Sequence, residues 1–71
     1  MTNTEIEFVV FCIEELAIEC GMSGNDMYRL LAEKTDMIPN YIVSNYEVLH
    51  SIGRNTIVEE LKSVLQERGV V

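Results

Sequence analysis

Apolar residues recur at intervals of three and four along four stretches of the chain, the spacing of one face of an α-helix. The single proline and all four glycines lie where these stretches begin or end. Because proline favours the first helical turn and glycine the residue after the last, helices joined by short connections are indicated. The pattern predicts an all-α fold, a compact bundle of four short helices in one domain spanning 1–71, with helices over 3–20, 23–35, 39–51 and 55–68.

Capping signals agree with these boundaries. The Ser23 hydroxyl can accept a hydrogen bond from the amide of Asp26 at the start of the second helix. Thr56 and Glu59 have the spacing of a capping box for the fourth. Pro39 suits the first turn of the third, where its missing N–H would be unpaired in any case. Three glycines are predicted to adopt the left-handed conformation just past helix ends: Gly21, Gly53 and Gly69.

The same periodicity predicts the core. Asn45 falls on the apolar side of the third helix, so its amide is expected to pair with a backbone group or a Tyr hydroxyl. The predicted core residues of the first two helices are Ile6, Val9, Val10, Ile13, Leu16, Ala17, Cys20, Met27, Leu30 and Leu31. Those of the last two are Tyr41, Ile42, Asn45, Leu49, Ile52, Ile57, Val58, Leu61, Val64 and Leu65.

The first helix is too apolar on the side that should face solvent. Phe11 and Ile18, seven residues apart, fall opposite its core direction, with Phe8 at the flank. The same side collects the carboxylates of Glu7, Glu14, Glu15 and Glu19. Large apolar residues fringed by acids are typical of a helix face that meets another chain. The alternative is a helix enclosed by the bundle, in which case Phe11 and Ile18 are additional core.

Charge narrows the choice of partner. Twelve acidic and five basic residues give a net charge of −7, which argues against binding to nucleic acid or to an anionic membrane. Residues 1–36 carry −6 of that charge and residues 37–71 only −1. The first helix has five glutamates and no Lys or Arg. We therefore expect it to dock either a basic protein partner or a second copy of the chain.

The cysteines and the short apolar runs predict a cytoplasmic protein. Cys12 and Cys20 lie about 12 Å apart if they share one helix, which is too far for a disulfide. Without a secretory signal or metal-spaced ligands, two reduced core thiols are expected. The apolar run 8–13 has six residues, far fewer than a membrane span requires.

Candidate chemistry is sparse. The only histidine, His50, lies in the last turn of the third predicted helix without a nucleophile or a metal-ligand set around it. We therefore predict no catalytic residues, cofactor, metal or small-molecule substrate. A carrier protein is a further alternative, because Ser23 begins a helix as the phosphopantetheine serine of such carriers does. However, Met22 and Gly24 flank Ser23 in place of the Asp-Ser-Leu motif, and the first helix-loop segment is short.

Several segments resemble a bacterial family of short helical domains, the domain of unknown function 3791. The strongest likeness is the run from Asn45 to Arg54, NYEVLHSIGR, followed by IVEEL at 57–61. The opening EFVVFCIE at 7–14 and the MSG turn at 22–24, followed by Tyr28-x-Leu30-Leu31, also match. The resemblance extends over essentially the whole chain.

The resemblance implies a partner. Such domains are commonly encoded beside an ADP-ribosyltransferase-like domain, an arrangement similar to a toxin and its antitoxin. By that resemblance this chain is a non-enzymatic protein-interaction module, the antitoxin-like partner of the enzyme. The alternative is a structural homodimer without a foreign partner. The residues predicted to bind the partner are Glu7, Phe11, Glu14, Ile18 and His50.

Overall fold

A computed structural model of the chain describes residues 2–70 and confirms the all-α prediction, with no strand among those residues. Three of the four predicted helices form within two residues of their predicted ends. The third is divided into a π-helix and a short α-helix. In chain order the elements are α1 (Asn3–Cys20), α2 (Gly24–Lys34), the π-helix (Ile38–Val43), α3 (Tyr46–Leu49) and α4 (Arg54–Glu67).

Both N-terminal helices begin at side-chain caps. The Thr2 hydroxyl accepts from the Glu5 amide at 3.2 Å, and the Glu5 carboxylate accepts from the Thr2 amide at 2.8 Å, a complete capping box. These hydrogen bonds lower the pKa of Glu5. Ser23 accepts from the Asp26 amide at 3.0 Å, as predicted. α1 ends at Gly21, whose φ of 67° confirms the left-handed conformation expected there.

The prediction of one continuous helix over 39–51 is wrong. The Ser44 hydroxyl donates to the carbonyl of Asn40 at 2.8 Å, and the Asn45 side-chain amide donates to that of Tyr41 at 2.8 Å. Such bonds compete with the backbone hydrogen bonds of a helix. The helix ends here, and Asn45 leaves the helical region at φ −109°, ψ 21°. Asn45 is exposed, so its placement in the core was wrong, although its predicted bond to a backbone group is present.

Two predictions at the start of α4 are also wrong. Gly53 is the N-cap, with an extended backbone at φ −68° and ψ 158° rather than a left-handed one. α4 begins at Arg54, so Thr56 lies inside the helix and forms no capping box with Glu59. At the other end, Gly69 has φ 72°, as predicted.

α1 packs against α2, α4 and the π-helix, and most of the predicted core is buried there. Two predicted core residues of α1, Ile6 and Val10, are each 46% exposed because neighbouring helices cover a narrower stripe than its apolar sequence offers. Met37 is completely buried, although periodicity did not identify it. The principal cluster comprises Val9, Cys12, Ile13, Leu16, Ala17, Met27, Leu31, Met37, Ile42, Ile57, Val58, Leu61 and Leu65.

Hydrogen bonds and ion pairs tie the later elements together. The Tyr41 hydroxyl donates to Glu60 of α4 at 2.9 Å. Asp36 accepts from Arg68 at 2.5 Å and from Asn40 at 3.1 Å, and these contacts lower the pKa of its carboxyl. Within residues 2–70 no helix has the length and apolar character needed to cross a membrane.

Candidate interaction surface

The two apolar residues predicted to lie on the outer side of α1 are both exposed. Phe11 is 37% and Ile18 is 68% accessible, and neither belongs to the core cluster. Ile18 is therefore not additional core, whereas Phe11 is partly covered and stacks on Phe8, which packs against the core. Glu7 and Glu14, also predicted site residues, are exposed on the same side of α1. This leaves α1 with two exposed apolar residues, Ile18 more than Phe11, in addition to the stripe that it buries.

Four rings form a continuous row from α1 to the end of α3, which we call the aromatic surface: Phe11, Phe8, Tyr46 and His50. The Phe8 and Phe11 ring centroids lie 6.2 Å apart in a stacked pair, and Phe8 meets Tyr46 edge-on at 5.3 Å. Tyr46 stacks on His50 at 4.5 Å with 5° between the ring planes. These distances fall in the range of favourable aromatic pairs. The row thus joins Phe11 and His50, two predicted site residues that are 39 positions apart in the sequence.

His50 presents a hydrogen-bond acceptor to solvent. Its Nδ1 lies 2.8 Å from the carbonyl oxygen of Tyr46. A carbonyl oxygen can only accept, so Nδ1 carries the hydrogen. In the neutral imidazole this assigns the lone pair to Nε2. The exposed ring therefore adds an acceptor to the end of the aromatic surface.

The acidic fringe of α1 is smaller than the sequence indicates. Arg54 of α4 forms an ion pair with Glu15, which raises the pKa of the guanidinium. Lys62 approaches Glu19 with 3.8 Å between Nζ and Oε1. The lack of basic residues on α1 is thus offset by α4, which lies beside those two carboxylates. Glu15 and Glu19 are thus engaged by α4 within the chain, which leaves fewer free carboxylates on the predicted docking face.

Glu7 and Glu14 remain without an ion pair among residues 2–70. Glu14 lies near the start of α2, since a Cβ added at Gly24 would be 4.0 Å from its Cγ. The positive end of the α2 dipole is therefore the nearest favourable partner for that carboxylate. Glu7 and Glu14 stand on either side of Phe11 along the helix, so the exposed ring is flanked by two negative charges.

Reactive chemistry is limited in the part of the chain that the structure describes. Cys12 is buried, which raises the pKa of its thiol to about 12 and suppresses the reactive thiolate. Cys20 is half-buried, and neither cysteine forms a disulfide. No group of His, Cys, Asp and Glu among residues 2–70 has a metal-binding arrangement. Ser23 acts as the cap of α2.

Sequence reasoning did not link Phe8 and Tyr46 to the site. A local signal existed for each pair within one helix, because Phe8 and Phe11 are three residues apart and Tyr46 and His50 four. What the sequence could not supply was the contact between Phe8 and Tyr46, which depends on how α3 is turned after the break at 44–45. The contact between Phe8 and Tyr46 joins the two pairs into one row.

One comparison with known proteins places the chain. The sequence model of a family described as a protein of unknown function (DUF3791) matches residues 7–68. The chain belongs to the DUF3791 family. The matched part of this DUF3791 chain contains the whole aromatic surface as well as Glu7, Glu14 and Ile18. No curated protein and no solved structure matches this member of the family.

Proposed function

We propose that this chain is a non-enzymatic interaction module that binds a basic protein partner through the outward side of α1. The observation that carries the proposal is the aromatic surface, a row of rings whose two ends, Phe11 and His50, are exposed and whose middle members, Phe8 and Tyr46, are half-buried. Exposed aromatic residues supply large apolar contact areas at low entropic cost and dominate many interfaces. Phe11 is the expected anchor because it lies at the end of the row and on α1.

The polar groups around these rings indicate the chemistry of the partner. Glu7 and Glu14 are negatively charged acceptors of hydrogen bonds, and Nε2 of His50 is a further acceptor in the neutral form of the imidazole. A complementary surface must present donors, for which Lys and Arg are the best suited side chains. The net charge of −7 favours encounter with such a partner over other proteins. A second copy would bring the same carboxylates against one another.

The family resemblance extends the proposal to a specific class of partner. An ADP-ribosyltransferase-like protein must bind the anionic pyrophosphate of a dinucleotide, a task that calls for basic residues in its cleft. An acidic helical domain that covers this cleft would inhibit the enzyme by occlusion. The chain would then act as an antitoxin-like partner, with Phe11, Ile18 and the His50 end of the aromatic surface seated over the cleft.

The test is capture of the partner from the native host, followed by identification and weighing of the complex. We expect one basic ADP-ribosyltransferase-like protein in a defined complex whose transferase activity falls when this chain is added. The variant Phe11→Asp should keep its helical circular dichroism and lose at least about tenfold in affinity, as hot-spot residues do. The matched control is Val48→Asp, the same change at a residue that is 65% exposed.

Three results would contradict the proposal. Loss of helical structure in Phe11→Asp would assign Phe11 to the fold rather than to docking. Recovery of a homodimer alone, broken by Phe11→Asp, would favour the structural homodimer instead. A mass increase of a phosphopantetheine group on Ser23 would identify a carrier protein.

A further inference from the structure

A second apolar feature lies on the other flank of α1. A groove of about 460 Å³ opens between α1, α2 and the start of the π-helix. Ile6 and Val10 are each 46% exposed along it, and Tyr28 on the facing helix is 51% exposed. Side chains of this size would be buried if the helix pair closed fully. The groove is lined chiefly by Ile6, Val10, Tyr28, Ala32, Ile38 and Pro39.

Apart from the Tyr28 hydroxyl, the side-chain polar groups that line the groove are already hydrogen-bonded within the fold. The Thr35 hydroxyl donates to a backbone carbonyl at 2.6 Å and accepts from a backbone amide at 3.1 Å. The Asp36 carboxylate accepts from Asn40 and Arg68 through different oxygens. A nucleotide, a sugar or a charged metabolite would therefore lose its hydration and gain only the Tyr28 hydroxyl as a side-chain partner in the groove. Its occupant must present an apolar surface.

The outer lip of the groove is acidic. Glu7 lies three residues before Val10 and Glu14 four residues after it, so the three share one edge of α1. Neither carboxylate forms an ion pair within residues 2–70. The groove thus combines an apolar floor with negative charge along one side, which is the complement of an element with an aliphatic face and a basic flank.

We propose that this groove binds one amphipathic helix of the protein partner, with aliphatic side chains against Ile6, Val10 and Ala32 and with Lys or Arg against Glu7 and Glu14. An extended segment would leave its backbone N–H and C=O groups unpaired between two helices, whereas a helix pairs them internally. The inference rests on the proposed function, since it names the element by which the same partner is recognised. A second copy is disfavoured because it repeats the acidic lip.

The experiment maps a probe peptide onto the intact chain by ¹⁵N–¹H NMR. The probe is a capped 15-residue peptide of Leu and Lys with Leu on one helical face, and the control has the same composition with Leu spread around the helix. We expect saturable shifts centred on Ile6, Val10, Tyr28 and Ala32 with the probe and none of that pattern with the control. Equal binding of both peptides, or shifts centred on Phe11 and His50, would overturn the inference.

Two matched variants sharpen the result. Ala32→Arg fills the groove and places a positive charge in it, whereas Ser63→Arg adds the same charge at an exposed site on α4. We expect Ala32→Arg to weaken probe binding at least tenfold relative to Ser63→Arg, with both variants folded by circular dichroism. Equal affinity would overturn the inference. So would groove shifts caused by uncharged 1-octanol without any caused by the probe, which would identify a small apolar ligand instead.

The two proposals can fail separately. If the captured partner binds Phe11→Asp more weakly and binds Ala32→Arg as tightly as the unchanged protein, the groove proposal is wrong and binding through the aromatic surface is supported. If the partner no longer binds Ala32→Arg but binds Phe11→Asp as tightly as the unchanged protein, the groove proposal is supported and the proposal of binding through the aromatic surface is wrong.

Discussion

The inward and outward sides of α1 both have large apolar residues with neighbouring glutamates, yet the other helices cover only the inward side. On the inward side Leu16 is fully buried and the neighbouring carboxylate of Glu15 is paired with Arg54 of α4. On the outward side Ile18 is 68% exposed and Glu14 has no ion pair among residues 2–70. The acids and apolar residues of a helix therefore acquire their roles from the element that packs against them, and within residues 2–70 no helix covers Ile18 on the outer side of α1.

The largest expected effect is on the free energy of unfolding, which a substitution on the inward side of α1 should lower much more than one on the outward side. Leu16→Ala removes a fully buried side chain and should lower the free energy of unfolding by about 2–5 kcal/mol. Ile18→Ala should change it by no more than about 0.5 kcal/mol, since an exposed side chain leaves no cavity. Urea denaturation followed by circular dichroism measures both. A loss above about 1.5 kcal/mol in Ile18→Ala would contradict the outward assignment.

Cys12 provides a pH-dependent measure of the inward side. Burial raises the pKa of its thiol to about 12 in the folded chain, against about 8.5 when unfolded. Because the folded pKa is the higher one, the stabilisation is complete below pH 8.5 and is lost as the pH rises towards 12, at up to about 1.4 kcal/mol per pH unit. Denaturation at pH 7 to 10 should reveal this decline.

Cys12→Ala is the control for that prediction, because it removes the titrating thiol and should flatten the alkaline decline. A thiol reagent should also modify Cys20 in the native protein and reach Cys12 only on unfolding. Rapid modification of both thiols under native conditions would contradict the burial of this side of α1.

Glu15 and Glu14 test whether the carboxylates on the two sides of α1 have different roles. Glu15→Gln removes the partner of Arg54 and should lower the midpoint of thermal unfolding slightly, since exposed ion pairs contribute little. Glu14→Gln should instead slow association with a basic partner and weaken its dependence on salt. Stopped-flow association at two ionic strengths distinguishes them. The opposite assignment, with Glu15 controlling association, would break the comparison.

The smallest expected effect concerns Asp36, another acid engaged by the C-terminal part of the chain. Arg68 and Asn40 lower the pKa of its carboxyl in the folded state. The stabilisation is therefore present above the unfolded pKa of about 3.9 and is lost as the pH falls through the folded value. Asp36→Asn and Arg68→Gln should each reduce the loss of stability measured between pH 5 and 2. An unchanged acid profile in both variants would contradict the pairing.

The fold could be predicted from sequence where local signals agree. α2 begins directly after its predicted cap, Ser23, because the cap and the apolar period point to the same boundary, and α1 begins at Asn3, where the apolar period alone predicted it. The break after the π-helix could not be predicted, since Ser44 and Asn45 are tolerated within helices unless their side chains bond back to the preceding turn. Periodicity alone extends the helix through them.

The site was predicted only in part for the same reason. The exposure of Phe11 and Ile18 follows from the angular position of each residue on α1, which a sequence supplies. The withdrawal of Glu15 and Glu19 by α4, and the exposure of Ile6 and Val10, depend on which helices approach α1 and how closely. Helical periodicity does not supply that tertiary packing. The structure therefore shows fewer unpaired acids on α1 than predicted, and an apolar groove beside them.

Site-specific photocrosslinking tests directly whether the outer side of α1 binds a basic protein. The photoreactive residue p-benzoyl-L-phenylalanine would replace Ile18 on the outer side of α1 in one variant and Ser63 on α4 in another, each expressed in the native host. We expect a crosslink from position 18 to a basic protein and none to that protein from position 63. A crosslink from position 63 without one from 18, or crosslinks from 18 to a second copy of this chain alone, would contradict it.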